Sequence, residues 1–592
     1  MTKINRQVFL KQSISIGTLA AISPLLGDFF AAETKDGQPK EDILQRLLKA
    51  NDAQAAKLLN SLPVNSFARK IGYDFAVLSA SFCSVNSVYY KDPVIITALE
   101  KITDVLLRHQ SADGTVSIGN LESPPDTAFI LEPLCAATFI LTEMKLAALN
   151  IVTVKIKTFI QKSGEALTTG GVHTPNHRWV ICAALSRIHK LYPDKKYIAR
   201  IEDWLGEGIF TDNDGHYPER SRLYAGVENE AFITMARLLN KPGLLGAVRK
   251  NLEATYYYME PDGELVATDS RRQDQYAGKS IVSYYLFYRY LAIRDQDGKF
   301  AAIAKLIEGY KGFEEEILND SLFHFLENSL LQNQLPDTTP LPVNYEKLFA
   351  TSGLLHIRRE DTTSVLFGGV DWPLIIASGR SNSPNFFSYR KGSAILKYLR
   401  LSSGFFSMGY FYSDGLQKEG NKYKLHKKLE VPYYQPLPKE LRNKKGDYTL
   451  SPSTDDRFWN KMSFSKRPVS NIKNLDTTIL LSENNGRNEL TFRVSGMEGI
   501  AVTIELCFKE GGTLSGVTDL NDADNNHFLE QGYGRYEYKG DTIEFGPGAL
   551  AGRNITKLEG ERYSTHFGSL RTEGMHVYLT GITPFEHTLS FY

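Results

Sequence analysis

From about Glu41 to Gln334 apolar residues recur at helical spacing, whereas beyond about Pro336 they alternate in short runs. The helical stretches include Ile43 to Leu59, Val94 to Arg108, Trp179 to Leu191 and Ile281 to Ile293, and about a dozen helices fit. Asp113-Gly114, Gly170-Gly171, Asp214-Gly215 and Asp262-Gly263 separate them at intervals of about 50 residues, the length of one helical hairpin per repeat. Six hairpins take roughly 300 residues, and such an array can close on itself. The alternating runs are Leu354 to Arg358, Ser364 to Gly368, Ala394 to Leu401, Thr477 to Leu481, Glu489 to Val494 and Ile500 to Phe508. Turn residues separate them without intervening helices, which predicts antiparallel sheets packed face to face. The stretch DTTPLP at 337–342 breaks both periodicities. The expected fold is α+β and multidomain: an (α/α) toroid of helical hairpins over 33–336, then an antiparallel β-sandwich over 337–592.

Residues 1–32 read as a signal peptide, with Lys3 and Arg6 ahead of an apolar stretch from Ile14 to Leu26 and small residues at Ala31 and Ala32. Asn5 to Lys11, NRQVFLK, resembles a twin-arginine export signal with Gln7 in place of the second arginine, so both export routes stay open. No later run supplies the roughly 18 uncharged apolar residues of a membrane span. The expectation is an exported protein, periplasmic or extracellular. Lys plus Arg and Asp plus Glu balance at 68 each, so no global field favours nucleic acid or an anionic membrane. Cys83, Cys135, Cys182 and Cys507 lack the spacing of a zinc site or redox pair and read as small buried apolar residues. No nucleotide, phosphate or HExxH motif is present, so no cofactor is expected; Asp522 and Asp524 are the candidate ligands of a structural calcium.

Two loop-to-helix junctions carry dense polar chemistry. The first is Thr174-Pro175-Asn176-His177-Arg178-Trp179, where the plain alternative makes Asn176 a helix N-cap. The second runs from Asp214 to Tyr224, DGHYPERSRLY, where Glu219 and Ser221 could serve only the helix start and Tyr224 only the core. Asp269 to Asp274 offers Arg271 and Arg272 after the Asp262-Gly263 turn. In ESPPDTAF, from Glu122 to Phe129, Asp126 is either an N-cap or a substrate-facing group.

Asn176-His177 followed 48 residues after Asn176 by the end of DGHYPERSRLY resembles the heparinase II/III-like and related alginate lyases, whose toroids carry an Asn or Asn-His and then a DGxxxExSxxY turn. The resemblance covers mainly the toroid half. It implies a toroid plus β-sandwich polysaccharide lyase that cleaves bonds to uronic acids by β-elimination in an acidic oligo- or polysaccharide. It makes Tyr224 the catalytic acid, or both base and acid, with Asn176 and His177 neutralising the substrate carboxylate. Arg178, Arg220, Glu219, Arg222, Arg271, Arg272 and Asp126 are its candidate neighbours. The sheet half departs from the pattern: Ser381 to Ser393, where a histidine is sought, has none, leaving Tyr389 and Arg390, or His356, His426, His527 or His566 from elsewhere.

The residue types suit the reaction, because donors paired with the carboxylate stabilise the enolate-like charge and a phenol can protonate the leaving oxygen. Two rivals remain: a glycoside hydrolase using carboxylates such as Asp126, Glu219 and Glu228, and a glycan-binding protein without catalysis.

Overall fold

Proline opens three of the helices, at Pro93, Pro124 and Pro175, a position where its missing N–H is no loss. The structure, a computed structural model, describes residues 42–592 apart from 63–65, 276–277, 370–374, 377–378, 381–382, 456–457, 521–525 and 549–572. The proposed signal peptide, Asp522, Asp524 and His566 therefore lie outside the described residues. The chain divides into two compact units: one takes in the chain through Val266 together with Gly278–Leu341, the other Ala267–Ala277 together with Pro342–Tyr592.

The first unit is helical. Its helices are α1 (Ile43–Asn60), α2 (Ile71–Cys83), α3 (Pro93–His109), α4 (Pro124–Glu143), α5 (Asn150–Thr169), α6 (Pro175–Leu191), α7 (Lys195–Gly206), α8 (Arg222–Leu238), α9 (Leu245–Tyr256), α10 (Tyr285–Asp295), α11 (Gly298–Ile307) and α12 (Leu322–Glu327). The run expected from Ile281 splits into a 3-10 turn, Ile281–Tyr284, followed by α10. Helices α2, α4, α6 and α8 pack in succession, α12 packs on α2 and α4, and α10 reaches α12 through the turn Ser329–Gln332. Outer helices flank them, and the periodicity follows from that: α3 buries Ile95, Ala98, Leu99, Ile102, Val105 and Leu106 on one face. Inner α4 is buried nearly all round; it is long and apolar enough to cross a membrane by length and composition, but 83% of its apolar window is covered by protein. This is the expected toroid of hairpins.

The recurring turns have a steric cause. Gly114 and Gly215 adopt left-handed backbone, φ 98° and 93°. A Cβ at Gly114 would stand 2.3 Å from the Lys162 carbonyl oxygen on α5, and one at Gly215 would stand 2.6 Å from that of Lys250 on α9. Gly170 differs, since it caps α5 with φ −66° and abuts Pro124, so the second of these turns is not of the left-handed kind.

Deeper in the ring, ions join the inner helices. Arg187 Nε of α6 lies 2.8 Å from Glu132 of α4, and Arg187 Nη1 lies 3.1 Å from Glu327 of α12. Arg237 of α8 pairs with Glu327 at 2.7 Å, and the Thr234 hydroxyl donates to Glu132 at 2.8 Å. The two arginines hold Glu327 down at about 2 against its burial, while burial and then the Glu132 charge raise Glu230 to about 8.

The second unit is a β-sandwich. Nine strands run in the order Thr518–Asp519, Asn526–Phe528, Met575–Ile582, Ala501–Phe508, Ala394–Ser403, Phe387–Lys391, Thr362–Phe367, Leu354–Arg359 and Asn344–Phe349. Eight run Leu416–Glu419, Lys422–Tyr434, Val469–Asn484, Arg487–Gly496, Phe585–Phe591, Asp541–Gly546, Gly534–Tyr538 and Thr513–Ser515. Leu399, Ile504 and Leu506 from the first sheet share one core with Leu425, Ile479, Phe492 and Phe591 from the second. Pairing within these two sheets is antiparallel except where Asn526–Phe528 runs parallel to Met575–Ile582.

Candidate active site

Serine caps two of the inner helices in the same way. Glu122 (φ 46°) precedes Ser123, whose hydroxyl accepts from the Asp126 amide at 3.2 Å; Arg220 (φ 43°) precedes Ser221, which accepts from the Tyr224 amide at 3.2 Å. Thr174 stands before α6 in the corresponding place. Asp126, His177 and Tyr224 thus each sit three residues past the capping position of α4, α6 and α8. The plain readings of Asp126 and Asn176 as N-caps are corrected, because serine or threonine already occupies the position before each helix.

Side-chain contacts link these helix starts around one rim. Arg69 Nε donates to Asp126 at 2.6 Å and its guanidinium lies 4.6 Å from the centre of the Phe129 ring. Phe129 meets His177 edge to face at 6.1 Å, and His177 meets His173 at 5.0 Å. Glu219, in the loop before α8, accepts at one oxygen from both the backbone amide (3.1 Å) and the Nδ2 (2.5 Å) of Asn176. Asn176 is fully buried, and its Oδ1 has no hydrogen-bond partner among the described residues. Tyr224 is buried in the first turn of α8.

Several candidates have other work. Asp126 is buried and held below the usual carboxylate range: burial acts to raise it, but Arg69, Ser123 and Asn120 outweigh that. A substrate-facing role for it is thereby displaced by the Arg69 pair. Arg178 pairs with Glu207 at 2.6 Å and lies over Trp179. Arg222 lies 3.5 Å from the centre of the Tyr258 ring and donates from Nε to the Val266 carbonyl at 3.1 Å. That ring is fixed by a buried relay in which His216 bonds Asp212 through Nδ1 (2.8 Å) and the Tyr258 hydroxyl through Nε2 (2.7 Å). His216 was passed over in the sequence, although an acid four residues before a histidine in a turn is the available signal. Glu228, one turn past Tyr224, is fully buried with both carboxyl oxygens unpartnered among the described residues. Burial, and then the Glu219 charge, raise it well above its ordinary value.

The sheet-half candidates fare differently. Tyr389 is a core residue: its ring packs against Phe591 and its hydroxyl donates to the Gly486 carbonyl at 2.9 Å, which corrects the substrate-binding assignment. Arg390 is half-buried on the same strand. Arg271 and Arg272 belong to the segment 267–277 that goes with the sheet unit, not to the helical half as expected. His356 is buried in its strand, His426 pairs with Asp476 at 3.0 Å, and His527 lies 3.4 Å from the His576 carbonyl. His576, unnoticed in the sequence, bonds Glu505 through Nδ1 at 2.9 Å and lies 3.9 Å from Cys507 Sγ. Burial acts to lower it, but Cys507 and Glu505 push it up to about 9, and the same imidazole holds the Cys507 thiol below its ordinary value. Cys507 is buried, as expected, and lies beside this imidazole.

No family model and no curated protein matches the chain. Among solved structures it is similar to a heparinase III, at 12% identity and TM-score 0.54 over 94% of this chain and 86% of that one. It is also similar to a chondroitin AC lyase from Streptomyces coelicolor A3 solved with chondroitin sulphate, at 11% identity and TM-score 0.51, covering 96% and 80%. A xanthan lyase from Paenibacillus aligns at 10% identity and TM-score 0.54 over 93% of this chain and 57% of that one. At these identities the likeness is one of fold: this chain shares the architecture of a helical toroid followed by a β-sandwich.

Proposed function

We propose that the protein is a polysaccharide lyase that cleaves a glycosidic bond to a uronic acid by β-elimination. One observation carries the reading: Asn176, held by Glu219, and Tyr224 stand in the first turns of neighbouring inner helices whose starts are joined by side-chain contacts. The Asn176 amide, with His177 beside it, neutralises the uronate carboxylate, so that negative charge can build on it as the adjacent carbon loses its proton. Tyr224 as phenolate takes that proton, the electron pair forms the new C=C bond, and the glycosidic C–O bond breaks. Tyr224 as phenol then returns the proton to the leaving oxygen, which balances the step. Fold neighbours named for heparin, chondroitin and xanthan support an acidic polysaccharide as substrate. Export through residues 1–32 is part of the same proposal.

The hydrolase alternative draws on Glu219, which holds Asn176, and on Glu228; the nature of the product, saturated or unsaturated, separates the two readings. Incubation with a panel of heparinoids, alginate, pectic glycans and glucuronate-bearing arabinogalactan tests the proposal. An unsaturated uronate absorbing in the ultraviolet is expected from at least one of them. Saturated products alone would contradict it.

A further inference from the structure

Strands Lys422–Tyr434 and Val469–Asn484 pair along their whole length as far as Tyr434 opposite Val469, yet 34 residues, 435–468, stand where a tight turn would suffice. This insert is built. Leu437, Ser453 and Phe464 are buried, the Tyr434 and Phe464 rings meet at 4.8 Å, and the Tyr434 hydroxyl accepts from the Thr454 amide at 2.6 Å. It nevertheless turns large apolar side chains outward: Trp459 is 65% exposed, Phe458 55%, Leu450 57% and Met462 38%. The described residues of this insert hold seven Lys and Arg against three Asp and Glu, in a chain whose charges balance overall. Lys461 pairs with Asp447 at 2.6 Å, and Arg467 donates to the Met462 and Gln435 carbonyls at 2.7 and 3.2 Å. Lys444 and Lys445 are exposed and make no ion pair with another described residue.

We infer that this insert is a second binding surface for the acidic polysaccharide, an inference that rests on the substrate class proposed above. A protein-docking patch has a core depleted in charge, whereas here Lys444, Lys445, Lys461 and Lys466 share the insert with the exposed rings. Aromatic faces match the apolar faces of sugar rings, and lysine and arginine match carboxylate or sulphate groups. A polymer held at the insert raises the local concentration of its own chain, so the gain falls on polymer and not on short oligosaccharides.

The test uses the full chain and three proteins: wild type, Trp459→Ala and the double variant Lys444→Ser/Lys445→Ser, each checked for an unchanged melting temperature. Gel retardation is measured with alginate, polygalacturonate, heparan sulphate and chondroitin sulphate, and with polyaspartate as a sugar-free polyanion. The expected result is retardation of wild type by at least one glycan, weakened about 10-fold in each variant, with a shallower salt dependence for the lysine variant. Absence of wild-type retardation, equal retardation of the variants, equal retardation by polyaspartate, or dimers that Trp459→Ala dissociates would each overturn the inference. Retardation through Trp459 without any unsaturated product would sink the lyase reading and leave the binding surface standing. Unsaturated product with variants indistinguishable from wild type would do the reverse.

Discussion

At the residue scale, Glu219 is the position where the proposed chemistry separates from its rival. Its oxygen holds Asn176 by both the backbone and side-chain amides, so its work is to orient an amide, and an uncharged acceptor can do the same. Glu219→Gln is expected to keep most activity, while Glu219→Leu loses about 10-fold to 100-fold through misplacement of Asn176. In an Asn176→Ala background the leucine change should add almost nothing, which a double-mutant cycle on kcat reads directly. Additive losses would show that Glu219 acts on its own account. This pairing was not legible in the sequence, because 43 residues separate the partners and nothing local marks them. Tyr389 misled for a related reason: alternation tells which residues share a face but not which face is covered, and Tyr389 lies on the face turned into the core.

At the element scale, the repeating turns were legible because left-handed glycine leaves a sequence mark, whereas the ionic joints between inner helices were not. Gly114→Ala adds both backbone strain and a Cβ 2.3 Å from the Lys162 carbonyl oxygen, and is expected to cost at least about 1 kcal/mol by chemical denaturation. An unchanged midpoint would show that the turn is looser than its geometry. The buried acids make stability depend on pH. Glu230 is raised to about 8 from an ordinary 4.5, so its contribution is fully present below 4.5 and is lost as pH rises through 8. Glu327, held at about 2, contributes above 4.5 and loses that contribution as pH falls through 2. Glu230→Gln should therefore flatten the fall in melting temperature between pH 5 and 9, and a fall as steep as that of wild type would place the charge elsewhere.

At the scale of the whole molecule, the change from helical to alternating periodicity located the two halves. It missed the interleaving of 267–277 with the sheet unit, since that short polar stretch has no period of its own. The insert at 435–468 was equally silent, being polar and irregular in sequence and distinctive only once its aromatic side chains are seen to face outward. The central claim joins fold to chemistry through one phenol, and turnover by Tyr224→Phe on the polymer that wild type cleaves tests it most directly. The change keeps the ring and removes one oxygen. Appearance of unsaturated uronate should fall about 100-fold to 10,000-fold, with polymer binding largely retained. Near wild-type turnover by this variant, or a saturated product whose release is abolished by Glu219→Gln, would contradict elimination and return the site to hydrolysis.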